Sequence, residues 1–354
     1  MMVEREGPAD LFICGYHTPG PPSLPWGPSQ QGFRDRSALS GPISNSLQFQ
    51  ATDGEAPEGF GFDDLHPEAD AEEERTRRIL ARFFLSLQEG FNEGDVQQIV
   101  SLPSGSPQQT RAILEAIGQT PERFSPVLAQ SYRVVLTGVA GSTLRTTPLG
   151  PLTSREGGFS LGLNLVNADA SRWALEESSS LITSISDETR QVIQRLINES
   201  FERGISPQRL ATMVQQHVGL TPQASRALSR FEEDLRSRGV IEESIQYQVA
   251  DYSNRLLTSR TETIARTEIM RSSNMGKQIL WERAIEEGYL NPASWSREWI
   301  VARDDRLCSL CAPMQGMRVP LTGEFQGVNS RIVVRTPPLH PRCRCTMVLV
   351  ENTP

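Results

Sequence analysis

Two short stretches near the C-terminal end of this 354-residue chain decide its architecture: DDRLCSLC at residues 304–311 and HPRCRC at residues 340–345. Together they hold four of the five cysteines and one of the four histidines. A Cys-x-x-Cys turn points two thiolates at one metal ion, and a second cluster on a later loop completes a tetrahedron. The pattern predicts a small cross-linked knot at residues 295–350, called the knot below.

Five side chains compete for four places in such a site. The favoured set is Cys308, Cys311, Cys343 and Cys345. In the alternative set His340 replaces one of the last two, because Cys-x-Cys is tighter than the usual ligand spacing. We expect the ion to be a structural zinc. Disulfides formed after release from the cell, and free thiols packed in a small core, stay open as other interpretations.

Catalytic patterns are sparse elsewhere. The sequence contains no glycine-rich phosphate loop, no Ser/His/Asp order and no His-Glu-x-x-His motif. A zinc hydrolase needs an open coordination position and a general base, for which the nearby acids are Asp304, Asp305 and Glu324. We therefore expect no enzyme. A metal-dependent enzyme and a zinc-knot nucleic-acid-binding module, favoured by the net charge of +3 over residues 251–354, are the alternatives.

Most of the chain before the knot has helical periodicity, and we expect an α+β fold that is predominantly α-helical. Apolar residues recur three and four apart through residues 65–150 and 168–288. Short strands are predicted at 299–301, 331–334 and 346–350. A linker or hairpin is predicted at 151–167, because this segment is rich in Gly, Ser, Thr and Pro.

Several helix limits follow from capping residues. Gly141 predicts the end of one helix, and Ser186 predicts the start of another. Ser-Pro and Thr-Pro pairs at residues 106–107, 206–207 and 221–222 predict three further starts. A long helical pattern over residues 240–287 is predicted to be broken once and to end at Gly288.

One helix carries a carboxylate within its apolar stripe. Glu268 shares this stripe with Ile264, Met275 and other residues spaced three or four apart. A carboxylate there needs a partner, since an unpaired buried charge is expensive. Arg266 points to a different side of the helix, so we expect the partner of Glu268 to lie on another segment. The favoured hypothesis is a structural clamp to the knot made by Arg266, Glu268, Asp304 and Asp305. An exposed helix face with ordinary i,i+4 charge pairs and a catalytic role for Glu268 stay open as alternatives.

The first 64 residues predict a largely disordered N-terminal arm. Residues 1–60 contain eight prolines and eight glycines, too many to bury enough apolar surface to offset chain entropy. Aromatic residues within such an arm often dock on a partner, and the candidates are Phe12, Tyr16 and Trp26. The following helical domain is predicted at 65–150.

Charge and hydropathy bound the compartment and the partners. The net charge of −8 argues against a general nucleic-acid binder. No run approaches the ~20 apolar residues of a membrane helix, and the acidic first residues do not resemble a signal peptide. We expect synthesis in a reducing cytosol and no membrane partner.

A set of short motifs runs in a fixed order through the second half of the chain. In sequence order they are Trp173-Ala174-Leu175-Glu176, Ser186-Asp187-Glu188-Thr189-Arg190, Gly204-Ile205-Ser206, Ile264-Ala265-Arg266-Thr267-Glu268, Asn274, Gly276, Trp299, residues 304–311, Gly316 and residues 340–345. This order resembles the Mu F-like phage head morphogenesis family, the minor head proteins. The corresponding domain is expected at 168–354.

The resemblance implies a bacteriophage minor capsid protein without transferable catalytic residues. Members are associated with the portal vertex and the procapsid interior, and some act in DNA packaging or ejection. The implied location is the virion, near the portal, after assembly in the host cytoplasm. The implied partner is the portal protein, with the major capsid or scaffolding protein and phage DNA as further candidates.

Overall fold

A computed structural model describes residues 69–103, 106–118, 120–146, 158–302, 307–328 and 330–352. Within these ranges the chain forms eight α-helices followed by five short strands. The helices are α1 (Ala69–Glu89), α2 (Glu93–Ser101), α3 (Pro107–Ile117), α4 (Thr120–Thr146), α5 (Gly158–Arg203), α6 (Pro207–His217), α7 (Pro222–Ser237) and α8 (Glu242–Glu286). The predicted α+β class, predominantly helical with a small β-containing C-terminal region, is confirmed.

Three helices begin where the sequence predicts, at a hydroxyl residue followed by proline. Ser106, Ser206 and Thr221 accept hydrogen bonds from the backbone N–H three residues later, at 3.1, 3.4 and 3.2 Å. Proline costs no hydrogen bond at the first helical position, because the N–H groups of the first turn have no partner in the helix. Gly288, with a φ of 74°, follows the end of α8 as predicted.

The long helices share one hydrophobic core. α4 packs along α5 and α8, and α1 packs on both α4 and α8. Gly276 marks a close approach of α8 to α4, since a Cβ added there would lie 2.5 Å from the carbonyl oxygen of Leu136. A larger residue at this position would therefore force the two helices apart.

The helices are longer than the sequence predicts in four places. α4 continues past Gly141, and α5 begins at Gly158, inside the segment 151–167 predicted as a linker or hairpin. α5 also runs through Ser186, whose hydroxyl donates to the carbonyl four residues earlier at 2.9 Å instead of capping a new helix. α8 is unbroken. Packing against neighbouring helices over the full length offsets weak local propensity.

The chain after α8 forms two small antiparallel sheets. The strands are β1 (Trp295–Ile300), β2 (Arg318–Pro320), β3 (Phe325–Gln326), β4 (Val333–Val334) and β5 (Thr346–Glu351). β1 lies between β2 and β5 in one sheet, with Trp299 opposite Met347, and β3 pairs with β4 in the other. The three predicted strands overlap β1, β4 and β5. β2 and β3 are too short to show an alternating pattern.

Two predictions about organisation lie outside this description. The N-terminal arm, with Phe12, Tyr16 and Trp26, falls on residues that the structure does not describe, as does the segment 147–157. The division into domains at 65–150 and 168–354 stays a prediction, and buried apolar residues from both ranges belong to the same core.

Candidate metal centre

The first half of the cysteine cluster is a tight turn before a 3₁₀ helix, Ala312–Met314. The backbone N–H of Cys311 donates to the carbonyl of Cys308 at 3.2 Å, which brings the two side chains to one side of the turn. The same N–H lies 3.4 Å from Cys308 Sγ. Metal ions bind cysteine through its sulfur in the thiolate form.

A second turn of the same length faces the first. The N–H of Cys343 donates to the carbonyl of His340 at 3.1 Å. His340 Nε2 lies 3.1 Å from Cys308 Sγ and 3.0 Å from Cys311 Sγ. Its Nδ1 lies 2.8 Å from the carbonyl oxygen of Pro341. This acceptor assigns the ring proton to Nδ1, so that Nε2 presents a lone pair to the space between the thiols.

All five predicted ligands therefore come together, in two triads that share one sulfur. Cys308, Cys311 and His340 form one triad, and Cys311, Cys343 and Cys345 form the other, each with its ligand atoms within 4.8 Å of one another. Cys311 Sγ and Cys343 Sγ are 3.6 Å apart. The four cysteines are free, and three of them are buried.

The thiols of the second triad differ in acidity. Hydrogen bonds from Cys311 and Cys345 hold the pKa of Cys343 well below its usual range. The bond with Cys343 raises the pKa of Cys311. One thiolate is thus stabilised by two neighbouring thiols. A divalent cation replaces such thiol protons, because its ligands are deprotonated sulfurs.

The donor set fits a borderline-soft ion such as Zn²⁺. Thiolates and a neutral imidazole are its usual structural ligands, at ~2.3 Å and ~2.0 Å. Separations of 3.0, 3.1 and 3.6 Å between neighbouring donor atoms are compatible with ligands grouped around one small centre. The donors are backed by buried side chains, which is typical of a closed structural site.

The knot is fastened to the middle of α8 by Arg342, which separates two of the candidate ligands. Its backbone N–H donates to Thr267 Oγ1 at 3.0 Å, and its Nε donates to Thr263 Oγ1 at 2.6 Å. Its Nη2 donates to the carbonyl of Ser259 at 3.1 Å. Arg342 also has a φ of 61°, a conformation uncommon for a non-glycine residue. The position of the second turn is thereby tied to α8.

A second attachment lies about two to three turns further along α8. Asn274 Nδ2 donates to the carbonyl of Cys345 at 3.2 Å, and Thr346 Oγ1 donates to Asn274 Oδ1 at 3.0 Å. Lys277 Nζ donates to Thr346 Oγ1 at 2.8 Å and to the carbonyl of Met347 at 3.2 Å. Burial lowers the pKa of Lys277 to about 8. The beginning of β5 is therefore held on α8 by polar contacts.

Arg297 on β1 makes hydrogen bonds and a contact with an aromatic ring in the interior of the knot. The residue is fully buried, and its Nη1 donates to Gln278 Oε1 of α8 at 2.6 Å and to the carbonyl of Arg335 at 2.7 Å. Its Nη2 donates to the carbonyl of Gly323. The guanidinium lies 5.2 Å from the centre of the Phe325 ring. Carbonyl oxygens thus satisfy a buried cation, as burial requires.

Glu268 lies in a buried polar cluster within the helical body. Its Oε2 is 3.2 Å from Arg271 Nε on the same helix, and that nitrogen is also 3.2 Å from Glu177 Oε1 of α5. Desolvation, opposed by Arg271 and reinforced by Glu177, raises the pKa of Glu268 to about 7. Burial and the Glu268 charge raise the pKa of Tyr132 on α4. Two acids thus share one guanidinium.

The residues of the predicted clamp have other partners in the structure. Arg266 Nε lies 3.1 Å from Glu73 Oε2 of α1, so this arginine joins two helices of the body. The ion-pair partner of Glu268 is on its own helix, and the other segment contributes the acid Glu177. Asp304 and Asp305 fall outside the described residues.

The attachments of the knot to α8 were not evident from the sequence pattern. Arg342 stands between two candidate ligands, and nothing in HPRCRC separates it from the neighbouring arginine. Lys277 could have been singled out from the sequence, because it is the only lysine among 35 basic residues. Arg297 lies in the predicted β region, but its burial follows only from the tertiary structure.

None of the described helices combines the length and the apolar character that a bilayer crossing requires. Residues 191–348 match the family described as Phage Mu protein F like protein. The matched segment is just under half of the chain, and it runs from α5 through α8 and the knot into β5. It shows a resemblance to Mu F-like phage proteins over that segment. Comparison with curated proteins and with solved structures gives no match.

Proposed function

We propose that this chain is a bacteriophage minor head protein that acts in head morphogenesis and catalyses no reaction. The observation that carries the proposal is the Mu F-like match over residues 191–348. It covers the whole of α8, both turns of the metal cluster and the residues of α8 that hold the knot. The matched segment is thus a physically connected unit.

The proposed location is the portal vertex and the procapsid interior. The proposed main partner is the portal protein, and the major capsid or scaffolding protein and phage DNA are further proposed partners, in packaging or ejection.

The length of two helices supports an assembly role. α5 and α8 have 46 and 45 residues, so each is about 68 Å long at ~1.5 Å per residue. Helices of this length offer extended side surfaces to neighbouring proteins.

The proposed metal is one structural zinc ion per chain. It would join residues 308–311 to residues 340–345 and so close a loop of about 30 residues, reducing the chain entropy that folding must overcome. Binding free energy at such a site contributes directly to folding, because the unfolded chain has no preformed site. The ion therefore supports the attachment of the knot to α8.

The direct test is mass spectrometry of purified procapsids assembled with and without the portal protein. The proposal predicts that the chain is present in complete procapsids and depleted from particles without a portal. Equal amounts in both particles would contradict the portal partner, and absence from both would contradict the head assignment.

The nucleic-acid alternative has a separate test. Binding of the purified chain to double-stranded DNA is measured between low and physiological salt. A specific nucleic-acid module would show affinity that falls steeply with salt concentration as counterions are released. A role in packaging or ejection requires only weak contact with phage DNA, so the head-protein proposal predicts no tight binding at physiological salt, in keeping with the net charge of −8.

A further inference from the structure

The two facing turns of the knot suggest which four donors hold the ion. We infer that Cys308, Cys311, His340 and Cys343 bind one Zn²⁺ and that Cys345 stays outside the coordination sphere. This inference rests on the proposed metal centre, and it differs from the favoured set of the sequence analysis.

The turns at residues 308–311 and 340–343 have matching geometry. In each one, the N–H of the second donor residue binds the carbonyl of the first, at 3.2 Å for Cys308 and Cys311 and at 3.1 Å for His340 and Cys343. Each turn carries two donor residues three apart, and Cys311 Sγ of the first turn lies 3.0 Å from His340 Nε2 and 3.6 Å from Cys343 Sγ of the second. Two such pairs supply the four ligands of a tetrahedral zinc site.

The second argument is the placement of His340. Its Nε2 lies 3.1 Å from one thiol of the first turn and 3.0 Å from the other. The carbonyl of Pro341 holds its Nδ1 at 2.8 Å. Metal-ligating imidazoles ordinarily have such a partner, which fixes the tautomer and the ring orientation. A histidine outside the coordination sphere would have no need of this arrangement between two thiols.

The backbone of Cys345 belongs to the segment that attaches the beginning of β5 to α8. Its carbonyl accepts a hydrogen bond from Asn274 Nδ2 of α8 at 3.2 Å. The next residue, Thr346, begins β5 and pairs with Ile300 of β1. The backbone at Cys345 is thus held by α8 and the sheet, not by either turn.

The buried charge also favours a set that contains one imidazole. Cys345 is buried, and its Sγ lies within 4.8 Å of the sulfurs of Cys311 and Cys343. Three thiolates and one Zn²⁺ carry a net charge of −1, whereas four thiolates would carry −2. The smaller buried charge costs less to desolvate.

The test compares matched variants of the full-length chain, purified under reducing conditions and titrated with Co²⁺ and Zn²⁺. Cys345→Ser is expected to bind one ion with less than a 10-fold loss of affinity and to keep the Co²⁺ visible absorption of the wild type. Cys343→Ser and His340→Ala are each expected to lose more than 100-fold. Loss of binding in Cys345→Ser, with binding kept in His340→Ala, would overturn the inference.

A second measurement needs no substitution and so does not depend on folding of a variant. Zinc K-edge X-ray absorption of the wild-type chain counts sulfur and nitrogen neighbours. Three sulfurs and one nitrogen are expected, and four sulfurs would overturn the inference. A folded wild-type chain that binds neither ion would contradict the proposed metal centre itself, which is a different outcome from a wrong ligand set.

Discussion

The helical body and the knot are held together in different ways. In the body, long amphipathic helices bury leucine, isoleucine, valine and phenylalanine side chains along their full length. In the knot, strands of two to six residues surround Trp299, Phe325 and Met347. Around this small core lie a buried arginine, a set of hydroxyl and amide contacts to α8, and the cysteine cluster.

Because of this difference, the knot depends more than the helical body on stabilisation other than apolar burial. Apolar burial stabilises by about 25 cal/mol per Å², and α1, α4, α5 and α8 have enough length to use it. A region of about 55 residues buries a smaller fraction of its surface, and regions of that size are often supplemented by metals or disulfides. We therefore expect the body to survive perturbations that destroy the knot.

The largest expected effect follows from Cys311→Ser. Cys311 belongs to both triads of the cluster, so its loss removes a ligand whichever set binds the ion. We expect loss of the metal and unfolding of the knot, with helical circular dichroism largely kept. Hydrogen exchange resolved along the sequence measures this, and faster exchange at 295–350 than in α4 and α5 is expected. Equally accelerated hydrogen exchange throughout the chain would contradict the expected difference between the knot and the helical body.

Glu268 lies in the helical body, and we expect it to make the free energy of unfolding depend on pH. Its pKa is raised from 4.5 to about 7 in the folded chain, so the folded state holds a proton that the unfolded state releases. The free energy of unfolding should therefore fall as pH rises from about 4.5 to about 7. Glu268→Gln should remove this fall and stabilise the chain at pH 8 by on the order of 1–3 kcal/mol, because Arg271 keeps Glu177.

Chemical denaturation of both proteins at several pH values measures this difference. Glu177→Gln is a useful partner variant, because it also leaves one acid for Arg271. Destabilisation of Glu268→Gln at pH 8 would show that this carboxylate is needed in its charged form, as the clamp hypothesis requires.

His217 provides the opposite pH dependence in the same region. The side chain is buried, and Nδ1 lies 2.6 Å from Ser225 Oγ. Burial and Arg195 lower its pKa from 6.5 to about 3, so the unfolded state takes up a proton first on acidification. Stability should be lost as pH falls below 6.5, by about 2 kcal/mol at pH 5. His217→Gln should flatten this loss, and an unchanged acid limb would contradict it.

The smallest expected effect concerns the attachment of the knot to α8. Arg342→Ala removes hydrogen bonds to Thr263 and Ser259, but the side chain is 47% exposed. We therefore expect a loss of only about 1 kcal/mol, seen as faster hydrogen exchange in the knot. Arg331→Ala, at an exposed position of the same region, is the control. Equal effects of the two substitutions would contradict the attachment role.

The body was largely predictable from the sequence because its signals are local. Apolar spacing gave α1, and Ser-Pro or Thr-Pro pairs gave the starts of α3, α6 and α7. The errors at Gly141 and Ser186 have one cause. Both residues favour helix ends in isolation, but here each lies within a helix that packs along its neighbours, and the hydroxyl of Ser186 bonds within its own helix.

The candidate site was predictable only as a set of residues. Two clusters of cysteine and histidine predict that the five side chains meet, and the structure brings them together. The five side chains lie on two turns and at the start of β5, and this arrangement depends on hydrogen bonds made by Arg342 and by Asn274. These bonds join the knot to α8, which lies about 70 residues earlier in the chain. Such long-range contacts leave no local periodicity, so sequence reasoning did not find them.

The most direct test of the metal-built knot is native mass spectrometry of the full-length wild-type chain, purified under reducing conditions and measured with and without a chelator. We expect a mass increase equal to one zinc ion per chain. We also expect chelation to remove this mass and to accelerate hydrogen exchange at residues 295–350. A metal-free chain whose knot is as protected as the helical body would contradict it.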